Sequence, residues 1–105
     1  MNRTTSGGAS LVLQMQDMQI FKLANGATFE RVADGAVVLV FGNGQLYSCN
    51  DTSAAFLDAI DGQRSLGDIA LLIAGEFEAP PAEILADLRD LASEMLSEGI
   101  ITAAG

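Results

Sequence analysis

Residues 36–57 read AVVLVFGNGQLYSCNDTSAAFL, and within this one stretch the chain changes its period. Val37, Val38, Leu39, Val40 and Phe41 are β-favouring and run straight into Asn43-Gly44, a pair that accepts the backbone of a tight hairpin turn. Beyond Asn50 the apolar residues stop alternating and recur about every 3.6 positions, which is helical spacing. The stretch therefore predicts a hairpin that passes directly into a helix.

Working toward the N-terminus, Asn25-Gly26 and Asp34-Gly35 precede Asn43-Gly44 at intervals of nine residues. Three such pairs predict a β-meander with strands over Met18 to Leu23, Ala27 to Val32, Ala36 to Phe41 and Gln45 to Cys49. Residues 11–18 (LVLQMQDM) alternate loosely and read as a strand or a disordered lead-in, and residues 1–10 (MNRTTSGGAS) as a flexible tail. Residues 11–105 are expected to form one domain, since the length suits a single modest core.

Working toward the C-terminus, three helices follow. The first starts behind Asn50 or Asp51, buries Ala55, Phe56, Ala59 and Ile60, and stops at Asp61-Gly62. The second opens at Ser65, with Asp68 three residues on as a relative of the capping box, and shows Leu66, Ile69, Ala70, Leu72, Ile73 and Phe77. Gly75 lowers its helical score near the end. Pro80-Pro81 separates it from the third, from about Pro81 to Glu98, which Gly99 caps. Ile100-Ile101 could then return to pack on the sheet. The fold class is α+β, an N-terminal antiparallel meander of three to four strands followed by three helices, with winged helix-turn-helix topology.

Composition excludes several functions. Fourteen acidic residues outnumber five basic ones for a net charge of −9, and eleven of the acids lie after Asn50, so phosphate backbones would be repelled. The second and third helices carry Asp68, Glu76 and a row of acids with only Arg89 against them, unlike a DNA-reading helix. The chain has no histidine, which removes the commonest general base and zinc ligand. No catalytic residue, metal site or cofactor is expected.

Cys49 has no partner for a disulfide, no base to activate it, and Asp51 nearby to disfavour thiolate, so it reads as structural. With no secretory-type segment and no apolar run near the ~20 residues of a membrane span, a soluble, cytoplasmic protein is expected. Gly42-Asn43-Gly44 reads as a hairpin tip and not as a phosphate cradle. Asp87, Asp90, Glu94 and Glu98 read as a solvated helix face.

The run Leu46-Tyr47-Ser48-Cys49-Asn50-Asp51-Thr52-Ser53-Ala54-Ala55-Phe56-Leu57, followed by Ile60-Asp61-Gly62, resembles the signature of PqqD-like proteins. Ser65-Leu66-Gly67-Asp68-Ile69-Ala70 is similar to the start of that family's second helix. Asp87-Leu88, Leu91-Ala92, Met95-Leu96 and Gly99-Ile100 fall at the spacings of its third helix and terminal pair. The resemblance spans roughly residues 27–101. It departs at Cys49, where the family usually has an apolar residue, and at an additional N-terminal strand.

The resemblance implies a RiPP recognition element, a non-catalytic adaptor. Such a domain binds the leader of a ribosomally made precursor peptide as an added strand and presents it to a maturation enzyme such as a radical SAM enzyme. Leu46, Tyr47, Ser48, Cys49 and Asn50 then form the candidate edge, with Leu46 and Ser48 on one face and Tyr47 and Cys49 on the other. On the third helix Leu88 and Ala92 lie mid-stripe, with Leu85 and Leu96 on one shoulder and Ile84, Leu91 and Met95 on the other. Ile84, Asp87, Leu88 and Leu91 are the candidate groove residues; the alternative is that the whole apolar stripe is ordinary core. Asp87 either meets a basic leader residue or faces water. A winged-helix interaction domain with no free peptide ligand is the competing function, and an exposed edge leaves homodimerisation open.

Overall fold

Each junction in residues 17–104, which the computed structural model of the chain describes, is set by a small number of local hydrogen bonds. The strands are β1 (Phe21–Leu23), β2 (Ala27–Val32), β3 (Gly35–Val40), β4 (Gln45–Cys49) and, at the far end of the chain, β5 (Ile101–Ala103). The helices between β4 and β5 are α1 (Asp51–Ala59), α2 (Leu66–Phe77) and α3 (Pro81–Ser97). Over the described residues the fold is α+β, with a β-meander followed by three helices. The readings of residues 1–10 and 11–16 lie outside the described residues.

The meander has three strands, in the order β2-β3-β4, all antiparallel. The expected fourth strand forms as β1 but leaves this sheet and pairs with β5, Leu23 opposite Ile101 and Phe21 opposite Ala103. The cause lies at the other end of the chain. Gly99, at a φ of 78°, turns the backbone out of α3, and Ile100 and Ile101 bury at 3% and 1% exposure, which lays the last strand beside β1. On its other edge β1 is held by the loop between α1 and α2, with Gly62 N donating to Phe21 O at 3.1 Å and Leu66 N to Gln19 O at 2.9 Å. The α1-α2 loop thus takes the side of β1 away from β5, and β2 pairs with β3 alone.

The turns differ in detail from the expectation. Asn25-Gly26 bends the chain without making a hairpin. Val32 pairs with Gly35, so the β2-β3 turn is Ala33-Asp34, and Gly35 already belongs to β3. Its own reason is spatial: a Cβ there would overlap the carbonyl oxygen of Cys49 on β4. Val40 pairs with Gln45, so the β3-β4 connection is the four-residue loop Phe41 to Gly44, and Phe41 is left exposed.

Helix starts match the sequence closely. Asn50 Oδ1 accepts from Ser53 N at 2.9 Å to cap α1. Ser65 and Asp68 complete a reciprocal capping box on α2, at 3.1 and 3.3 Å. Pro81 opens α3. One face of the meander packs on α1, α2 packs on α3, and Val38, Phe56, Leu66, Ile69, Ile73, Leu88 and Ile101 form the most deeply buried centre. Leu72 and Phe77, expected on the buried face of α2, are instead exposed at 50% and 37%. Among the described residues, no helix is long and apolar enough to cross a membrane.

Candidate functional site

β4 is an edge strand: β3 lies on one side, and no described strand lies on the other. Which of its backbone groups are free follows from the ladder. Phe41 N donates to Gly26 O at 2.8 Å, on the β2 side of the sheet. Hydrogen-bonding direction alternates along an antiparallel strand, so Val37 and Leu39 also face β2, whereas Ala36 and Val38 face β4. Their partners Cys49 and Tyr47 therefore commit their N–H and C=O groups to β3. Leu46 and Ser48 point theirs outward.

Beside that open edge runs a cleft of about 210 Å³ between β4 and the C-terminal half of α3. Its strand wall is Tyr47, Ser48 and Cys49, and Asn50 and Ser53 close the end at the start of α1. The helix wall is Leu91, Glu94, Met95 and Glu98, with Ile100 below. The Tyr47 hydroxyl donates to Glu98 Oε2 across the mouth. That hydrogen bond, helped by the adjacent negative charge, holds the phenol above its ordinary pKa. Burial pushes the Cys49 thiol up as well, which disfavours thiolate. Among the described residues, no group of three or more histidine, cysteine or acidic side chains is placed to hold a metal ion.

The cleft brings together five of the nine residues singled out in the sequence: Tyr47, Ser48, Cys49, Asn50 and Leu91. The other four lie elsewhere. Leu46 is 67% exposed on the outer face of the sheet, beside Leu39 and Val37. Leu88, fully buried, and Ile84, at 6% exposure, are core residues with almost no surface to offer a ligand. Asp87 is exposed and outside the cleft lining. Asn50 already spends its side-chain oxygen on the α1 cap.

Glu94 and Glu98 are exposed, as expected of a solvated face, and they also form the cleft rim, which was not expected. The only available signal was their spacing of four, which puts them with Leu91 on one side of α3. A second hollow lies on the opposite flank of α3, lined by Phe21, Leu66, Ala92 and Leu96, where Arg89 grips Asp17 through two hydrogen bonds of 3.0 Å.

Comparison with known proteins matches residues 35–101 to the family model of coenzyme PQQ synthesis protein D (PqqD). No curated protein sequence matches the chain significantly. Three solved structures share its fold. TbiB1 in complex with the TbiA(β) leader peptide superposes at a TM-score of 0.69 with 15% identity, over 76% of this chain and 93% of that one. Lasso peptide synthetase B1 complexed with its leader peptide gives 0.68 and 22%, over 78% and 96%. The PqqD part of PqqCD from Methylobacterium extorquens, a stand-alone RiPP recognition element, gives 0.68 and 20%, over 79% and 88%.

Proposed function

This chain belongs to the PqqD family, and from that membership we propose that it is a leader-peptide-binding adaptor. The observation that carries the reading is the open outer edge of β4 beside the α3 cleft. Leu46 and Ser48 offer an incoming strand four backbone groups with no partner among the described residues, and main-chain hydrogen bonds of this kind supply affinity with little demand on sequence. Alternate side chains of the added strand then point into the cleft, which supplies selectivity. The similar structures support it, since two of them were solved with a leader peptide bound.

In this reading residues 11–105 act as one peptide-binding unit, and the meander and three helices are arranged as a winged helix-turn-helix, the β3-β4 hairpin being the wing. The unit works by raising the local concentration of precursor at a maturation enzyme, with no chemistry of its own. The absence of histidine and the half-buried Cys49 thiol, whose pKa burial raises, favour that.

The test is a backbone-amide NMR titration of the protein with the precursor peptide encoded beside its gene. Saturable shifts at Leu46, Ser48 and Leu91 are expected. Shifts confined to the opposite flank of α3 would sink the site. Edge shifts that depend on protein concentration without peptide would favour self-pairing through β4 instead.

A further inference from the structure

The cleft beside β4 is charged in a way that names its occupant. Glu94 and Glu98 stand one helical turn apart on its rim. Like charges at this spacing weaken a helix, so the pair is a cost that a cation between them would relieve. A glutamate at a helix end ordinarily extends into water, yet Glu98 is held at the cleft mouth by the hydroxyl of Tyr47, fifty-one positions away in sequence. Nothing on this chain neutralises the rim among the described residues. Arg31, Arg64 and Arg89 pair with Asp58, Asp61 and Asp17, and no basic residue lines the cleft.

The ladder supplies the register. An added strand hydrogen-bonds to Leu46 and Ser48, so its residues opposite Tyr47 and Cys49, two apart, share the face of those side chains and enter the cleft. The position opposite Tyr47 arrives beside Glu98. The position opposite Cys49 meets a neutral thiol, with the half-buried Leu91 across the cleft.

We propose that this cleft selects leader segments carrying a lysine or arginine two residues from an apolar side chain, the cation seated between Glu94 and Glu98 and the apolar group against Leu91. The proposal rests on the adaptor reading above and specifies its substrate class. The net charge of −9 acts in the same direction, steering cationic segments toward the domain and repelling acidic ones, an effect that salt screens.

A display library of random linear peptides selected on the full chain tests it. Recovered peptides should carry an excess of Lys and Arg over Asp and Glu, two residues from an apolar position, and should shift the Leu46 and Ser48 amides. The Glu94→Gln/Glu98→Gln double variant, its fold checked by circular dichroism, should bind them roughly tenfold more weakly. Asp90→Asn, exposed on α3 outside the cleft, should bind them as the parent does. Peptides that shift Leu46 and Ser48 without a cationic excess, or whose affinity the double variant preserves, overturn charge selection and leave strand addition standing. Failure to recover any peptide that shifts this edge overturns both.

Discussion

Tyr47 is the only tyrosine in the chain, so its ionisation can be followed directly by phenolate absorbance. Its hydroxyl donates to Glu98; losing that proton would remove the hydrogen bond and set two negative charges together, so the folded pKa is raised. The contact's contribution to stability is therefore complete below the unfolded value of about 10 and is lost as pH rises through the higher folded value. We expect titration above that reference in the parent and a return toward it in Glu98→Gln; identical curves for the two proteins would rule the contact out. Alternation in β4 put Tyr47 on the face opposite Leu46, and the structure agrees. Nothing local links positions 47 and 98, so the partner was invisible.

Among the elements, β3 and β4 and the starts of all three helices were legible because their signals are short-range: β-favouring residues flanking a glycine-bearing loop, caps that bond three residues ahead on α1 and α2, and the proline that opens α3. The turn pairs were less informative. An Asn-Gly or Asp-Gly pair marks a bend without saying which strands it joins, and here only two of the three bends make hairpins. Gly35 shows the limit, having been read as a turn residue although its lack of a side chain serves the close approach of β4 to β3. Gly35→Ala should push the candidate edge strand away from its partner and cost about 3 kcal/mol in urea unfolding. An unchanged midpoint would mean that β4 can shift without penalty.

For the molecule as a whole, α3 is the shared wall. Leu88 faces the core with no exposure, whereas Leu91 is half-buried at the cleft. The helical period defined an apolar stripe wider than one packing seam but could not say which flank a neighbour covers. Burial by the packed core assigns Ile84 and Leu88 to stability and leaves Leu91 to the cleft. Leu88→Ala should cost about 2–5 kcal/mol. Leu91→Ala should cost about 1 kcal/mol or less and weaken peptide binding instead. Denaturant unfolding and a binding isotherm on both variants check the pair; equal stability losses with equal affinities would show that the two residues do not divide these roles.

The change from strand to helix at Asn50, the caps, the acidic character and the lack of histidine chemistry can be read from the chain alone, because each is a property of composition or of residues a few positions apart. Three-dimensional packing alone sends β1 from the meander to β5, leaves Leu72 and Phe77 exposed, and sets Glu94 and Glu98 at the cleft beside Tyr47. These pairings join residues as distant as Leu23 and Ile101. They exist because packed elements compete for the same backbone groups and apolar faces, and the outcome depends on where every other element has already settled.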